Sequence, residues 1–293
     1  MKIIVCLKEV VDIRLSLDFG LSHRVVFQEG QPLRLNPDDA SALDMALQLK
    51  SLFQDAKPEI TLVSIGPEGV ETYLRQGLAL GADTAVRLWW EDMGEMSPPI
   101  KANLLARAAS LLGADLVFTG ASSLDTGHGQ VGPMLAARLA RPCTTEVTAL
   151  ESGDRNGLTV VRDIGRGARE RVFCPLPAVI TVKGEGKLPY ASLDRLMEGQ
   201  EKEIRRLSPA DLGLSEAELK DGPARVAGLS FPRPRTKKVP TPASSLPAFD
   251  RILKLLEGGI SRRQGLILSG SSTELAARLL ALLDEEGRLP PAR

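Results

Sequence analysis

Residues 114–139 read ADLVFTG, ASSLDTGHGQ and VGPMLAARL in unbroken succession. An apolar run passes into a loop of Gly, Ser, Thr and Asp, and the loop passes into an amphipathic helix. In an α/β protein this order sets small residues at the carboxyl end of a strand, immediately before a helix N-terminus. Unpaired N–H groups and the positive end of the helix dipole then converge on one spot, which suits a phosphate. The stretch predicts a nucleotide site, with the rest of the chain arranged to serve it.

Upstream, KIIVCL over Lys2–Leu7 reads as a buried, parallel strand. Residues 11–35 are polar and read as irregular, with Asp12, Asp18 and Gly20 in turns. Asn36 is a natural helix N-cap, Pro37 suits the first helical position, and Asp38 and Asp39 stand beside the positive end of the dipole. Ala40, Leu43, Ala46 and Leu47 continue one face of that helix. A strand over Glu59–Ile65, a helix over Glu68–Leu80 stopped by Gly81, and a strand over Thr84–Trp89 follow. After an acidic loop at 91–99, Ile100, Leu104, Ala108 and Leu111 mark another helix, and Ala114–Thr119 is the fourth strand. Strands alternating with helices predict right-handed βαβ units and a largely parallel sheet.

Downstream of Pro142 the pattern changes. Thr145–Leu150, Leu158–Arg162, Arg171–Phe173 and Ala178–Val182 are short strand candidates, readable as a hairpin extension feeding one last strand into the sheet. The segment SFPRPRTKKVPTPASSLP at 230–247 holds five prolines and few apolar side chains, so an extended tether is expected. Beyond it lie a short helix near Ala248–Leu256, a strand at Leu266–Leu268 and a helix from Ser271, where Ser271 and Glu274 have capping-box spacing. The expected division is a nucleotide-binding domain over 1–229 and a tether with a docking arm over 230–293.

Composition narrows the function. Lys+Arg and Asp+Glu are equal at 37 each, so no overall field points to nucleic acid. Aromatic residues at 4% are too few for stacking on a single strand. Cys6, Cys143 and Cys174 match no zinc or disulfide spacing and read as thiols of a reducing compartment. His23 and His128 have no clustered carboxylates with which to hold a metal. No apolar run approaches the ~20 residues of a membrane span, so a cytoplasmic protein without membrane insertion is expected.

Taken in order, MKIIVCLKEVVD at 1–12, NPDDASALDMALQLK at 36–50, VSIGPEGVETYLRQGLALGAD at 63–83 and DLVFTGASSLDTGHGQVGPMLAARL at 115–139 resemble the β subunit of electron transfer flavoproteins. PLPAVITV at 175–182, PYASLDRLM at 189–197 and DLGL at 211–214 extend the resemblance over most of the chain. It implies a Rossmann-like α/β fold of the adenine-nucleotide-hydrolase type with a C-terminal extended arm. It also implies an FAD-bearing α subunit as partner, forming a heterodimer that carries electrons from a flavin dehydrogenase or other redox partner to an acceptor. The chain would then be an electron carrier rather than a substrate-converting enzyme. Carried over by position, the contacts to AMP or FAD are Cys6, Asn36, Pro37, Asp38, Asp39 and Ile65. The loop supplies Gly120, Ala121, Ser122, Ser123, Leu124, Asp125, Thr126, Gly127, His128, Gly129, Gln130, Val131 and Gly132. Leu193 is the implied anchor for the partner dehydrogenase, if its segment protrudes; a packed amphipathic turn is the rival.

Many members carry a loop of the type D-D-D-x-N-Q-T-G-Q and hold AMP. Here Asp125 is followed by Thr126-Gly127-His128-Gly129, and the ending Gln130-Val131-Gly132-Pro133 is similar to a subgroup whose β subunit holds a second FAD. That subgroup splits the electron pair of NADH between two acceptors. Glycines 127, 129 and 132 are the small residues along which such an FAD would extend. IGRGARERV at 164–172 and GEGKLPYAS at 184–192 depart from the family pattern and bear on which dehydrogenase is recognised.

Bland readings stand beside these. Cys6 is a small packing residue, Asn36 is either just a cap or caps and touches the ligand together, and His128 is either solvated or a phosphate donor. Arg166, Arg169 and Arg171 read as a solvated hairpin, and Lys237-Lys238 as solubilising. The other function class is a non-redox adenine-nucleotide-binding regulatory domain, or an adenylating enzyme, of the same superfold. An adenylating enzyme would want S-G-G-x-D-S after the first strand, which Lys8-Glu9-Val10-Val11-Asp12 does not supply.

Overall fold

In the computed structural model Lys2–Leu7 forms strand β1, and its side chains alternate between two cores. Ile3, Val5 and Leu7 join one buried cluster, Ile4 and Cys6 the other. A strand apolar on both faces needs a helical layer on each side, which is why the run carries no polar alternation. The structure describes residues 1–14, 32–53, 58–90, 96–154, 156–215, 218–219, 242–256 and 268–285.

The first layer is built by helices α1 (Pro37–Leu52) and α2 (Glu71–Leu80), which send Leu43, Ala46, Leu49, Leu74 and Leu78 into the core beneath Ile3 and Val5. Helices α3 (Pro98–Leu112) and α4 (Val131–Leu139) form the second, with Leu104, Ala108, Leu135 and Ala136 buried against Ile4 and Val117. Between the layers run β4 (Glu59–Ile65), β5 (Thr84–Leu88), β6 (Leu116–Gly120) and β10 (Ala178–Val182). The antiparallel extension is β7 (Cys143–Gly153), β8 (Gly157–Gly165) and β9 (Ala168–Pro175), and β11 (Ile204–Leu207) closes the other edge. The nine-stranded order is β11-β5-β4-β1-β6-β10-β7-β8-β9, parallel from β11 to β7 and antiparallel from β7 to β9.

Most sequence boundaries stand within a residue or two, but several differ. At the two ends of the stretch 11–35 read as irregular, β2 (Glu9–Val11) pairs with β3 (Leu33–Leu35) as an antiparallel ribbon; each is three residues, too short to show a period. The turn at Glu68–Val70 is a 3-10 helix that leads into α2. Strand β11 was hidden in IRRL, where only Ile204 and Leu207 are buried. The downstream hairpin extends further than expected, and β10 does insert between β6 and β7. The tether over 230–241 and Leu266 and Ile267 of the last expected strand lie outside the described residues.

The chain divides into two compact units, Met1–Ser230 and Phe231–Arg293. In the second, α6 (Ala248–Leu256) and α7 (Ser272–Glu285) are described. The capping box at the start of α7 forms as its spacing implies: Ser271 N–H and Oγ donate to Glu274 Oε2 at 3.1 and 2.9 Å.

Candidate functional site

Strand β1 has α1 packed beside it on one face of the sheet, while α3, which leads into β6, covers the other face. The chain therefore switches faces between β1 and β6, and a crevice opens there at the carboxyl ends of the strands, the place where open α/β sheets take ligands. Cys6, Leu7 and Lys8 line it from β1, Val63 and Ile65 from β4, and Thr119, Gly120, Ala121, Ser122 and Ser123 from β6 and its loop. His128, Gly129, Gln130 and Val131 close it at the start of α4, Pro98, Lys101 and Leu105 from α3, and Asn36, Asp39 and Thr126 complete it. The base of the crevice is thus apolar and one rim is polar backbone.

The start of α1 does different work from that expected. Pro37 stands at its first position, but the Asn36 side chain makes no capping bond. Asn36 is 2% exposed and faces the loop. Its Nδ2 donates to Ser122 O at 2.8 Å and its Oδ1 accepts from Leu124 N–H at 3.0 Å. Asp38 accepts from Ser122 N–H at 3.1 Å and from Gly184 N–H at 3.1 Å. Asp39 takes Lys8 N–H and Gly120 N–H, both at 2.8 Å. The first turn of α1 therefore binds the ends of β1, β6 and β10 together, and its two acids fill the place an anion would want.

The start of α4 is the opposite. It carries no acid in its first turn, Pro133 has no N–H, and Met134 N–H is the first to bond back, to Gln130 O at 3.0 Å. The backbone N–H groups of His128, Gly129, Gln130, Val131 and Gly132 meet no hydrogen-bond acceptor among the described residues. Gly127 and Gly129 lie at φ 60° and 61°, which turns the loop onto the helix. The polar rim is thus a set of donors at a positive helix end.

Gly132 has another use than the one expected. A Cβ there would meet Thr181 Cγ2 and lie 2.8 Å from Thr119 Oγ1, so the missing side chain lets α4 sit on β6 and β10. Gly132 is buried and does not line the crevice; nor do Pro37, Asp38, Leu124, Asp125 and Gly127. Leu7, Lys8, Val63, Thr119, Pro98, Lys101 and Leu105 line it without having been singled out. Lys8 was the most findable, because it stands two residues past Cys6 at the same strand end.

Burial, with Asp39 beside it, pushes the Cys6 thiol up, so Cys6 stays protonated and packs rather than reacts. Burial likewise pushes Asp39 up to about 7, against the hydrogen bonds from Asn36, Lys8 and Gly120 and with Asp38 adding repulsion. His128 is exposed at the crevice rim, and no group of His, Cys, Asp and Glu among the described residues is arranged to hold a metal.

Leu193 opens helix α5 (Leu193–Glu201), whose N-cap Ser192 Oγ accepts from Arg195 N–H at 3.4 Å. It is 72% exposed, and Tyr190, Leu196 and Met197 are exposed in the same segment. The segment is helical and its apolar side chains face outward. The arginines at 166, 169 and 171 are exposed on the β8–β9 hairpin, with Arg171 paired to Glu151 at 2.6 Å. Lys237 and Lys238 lie outside the described residues. No helix among the described residues is long and apolar enough to cross a membrane.

Residues 24–212 match the profile of the electron transfer flavoprotein domain. The chain is 31% identical to the electron transfer flavoprotein subunit beta of Clostridium acetobutylicum over 233 residues, covering 77% of this chain and 86% of that one. It is 33% identical to the mitochondrial electron transfer flavoprotein subunit beta of Arabidopsis thaliana, covering 72% and 83%. Against subunit CarD of the caffeyl-CoA reductase-Etf complex of Acetobacterium woodii the identity is 32%, covering 73% and 81%.

Proposed function

Since the chain belongs to the electron transfer flavoprotein family as a β subunit, we propose that its crevice holds an adenosine phosphate, either AMP or the adenylate end of FAD. The α subunit of the heterodimer holds an FAD of its own in either case. The observation that carries the reading is the row of N–H groups from His128 to Val131 at the start of α4, which meet no acceptor among the described residues and belong to residues lining a crevice with an apolar base. These amides receive the phosphate, while the adenosine lies against Cys6, Leu7, Val63 and Ile65. Asn36, Asp38 and Asp39 hold the loop in shape rather than donate to the ligand. FAD supplies the electron storage, and this chain binds and orients.

AMP in the crevice makes the heterodimer a single-flavin carrier. FAD makes it a two-flavin complex able to split the electron pair of NADH, the reading that Gln130-Val131-Gly132-Pro133 favours. Leu193 with Tyr190, Leu196 and Met197 forms the docking surface for the dehydrogenase, and the second unit is the arm that grips the α subunit. A cytoplasmic location belongs to the same reading, supported by three free thiols.

Purification of the heterodimer, denaturation and mass spectrometry of the released small molecules test the proposal. Two FAD per heterodimer support the two-flavin form, and one FAD with one AMP supports the carrier. A single FAD with no second adenine compound contradicts the crevice assignment. A flavin-free chain that ignores any α subunit contradicts the whole reading.

A further inference from the structure

Asp125 belongs to the very loop that is assigned to a phosphate, and one anion there opposes another. Lys8 answers it, with Nζ 2.7 and 2.8 Å from the two carboxylate oxygens. The Asp125 side chain is 7% exposed and that of Lys8 32%, so water screens the pair incompletely. Lys8 itself is held firmly. Its N–H donates to Asp39 Oδ2 at 2.8 Å, and its carbonyl accepts from Asn36 N–H at 3.0 Å. Lys8 lines the crevice while Asp125, with which it pairs, does not.

We propose that Lys8 is a positioning residue of the nucleotide site: it neutralises Asp125 and draws the glycine loop against the end of β1, so that the loop accepts an adenosine phosphate. The inference rests on the nucleotide reading given above. Burial raises the pKa of Asp125, but the hydrogen bonds from Lys8 and Ser123 and the charge of Lys8 outweigh it and hold the carboxyl below the ordinary carboxylate range. The negative charge is therefore present throughout neutral pH, and without Lys8 it stands uncompensated beside the bound phosphate.

The test uses the heterodimer, stripped of nucleotide, with AMP as the probe in titration calorimetry. Lys8→Gln weakens AMP by at least about tenfold, as expected for an uncompensated like charge at short range. The double variant Lys8→Gln with Asp125→Asn returns to within about threefold of the wild type, and Lys8→Arg stays near it. The penalty of Lys8→Gln also shrinks as salt rises, which a packing role would not cause. Unchanged affinity in Lys8→Gln overturns the inference. So does a double variant that assembles yet binds as weakly as the single one. Should Lys8→Gln fail to assemble, the double variant and Lys8→Arg still decide by the same criteria. A wild-type heterodimer that takes up no adenosine phosphate overturns the nucleotide reading itself, before any variant is compared.

Discussion

Inside the crevice Asp39 holds two backbone amides with a carboxylate that burial has made reluctant to ionise. Its pKa is about 7 in the fold against 3.8 for the ordinary group. A raised folded-state value means that the native state keeps the proton longer, so the stability it lends is complete below about pH 4 and is lost as pH rises through 7. Relative to Asp39→Asn, the wild type is expected to lose roughly 4 kcal/mol between those limits. Paired urea titrations across that range check this, and a difference independent of pH contradicts it. Asn36 makes a second test at this scale. Asn36→Ala removes the acceptor of Leu124 N–H and the donor to Ser122 O, at a cost of about 1–3 kcal/mol. The Leu124 amide should then exchange with solvent much faster. Continued protection would show that the loop is held by something else. The sequence marked Asn36, Asp38 and Asp39 as important but as ligand contacts and caps. Their actual partners are backbone groups over 30 or 80 residues away in sequence, which no local pattern records.

Among elements, the turn after β4 shows how the crevice wall is fixed. Arg87 of β5 is 4% exposed and donates to Glu71 Oε1 at 2.7 Å and to Gly66 O at 3.3 Å. Glu71 opens α2, and Arg206 of β11 reaches the same oxygen at 3.4 Å. One buried ion pair thus ties two strands and a helix to the residue following Ile65. Arg87→Met strands a buried carboxylate, and a loss of about 3–5 kcal/mol in denaturant unfolding is expected; a loss below about 1 kcal/mol would mean that Arg206 and Arg75, whose guanidinium lies 3.7 Å from Glu71 Oε2, suffice. Ser271→Ala removes the cap of α7 and should cost that helix about 1 kcal/mol, read as lower helicity by circular dichroism, and unchanged helicity would contradict it. Elements with a strong period or a cap were legible: β1, α1, α4, β10 and the capping box at Ser271. The β2–β3 ribbon and β11 were not, because three or four residues carry no period and their partners lie elsewhere in the chain. The pairing of Arg87 with Glu71 was illegible for the same reason.

The whole molecule comprises a sheet unit that contains the crevice and a second unit whose described helices keep large apolar side chains exposed, Phe249, Ile252 and Leu256 of α6 and Leu279 and Leu280 of α7 among them. Exposed apolar faces of this kind mark interaction surfaces. A chain ending at Ser230 is therefore expected to keep its fold and its nucleotide site while binding the α subunit at least about tenfold more weakly. Co-purification and analytical ultracentrifugation check it, and undiminished heterodimer would remove the arm from the account. Everything else depends on the crevice being a phosphate site. A crystal structure of the intact heterodimer tests that directly. An adenosine compound is predicted against Cys6 and Ile65, with its phosphate oxygens within hydrogen-bond distance of the amides from His128 to Val131. A phosphate held elsewhere, or an intact heterodimer with those amides bonded to protein and no nucleotide beside them, would contradict it.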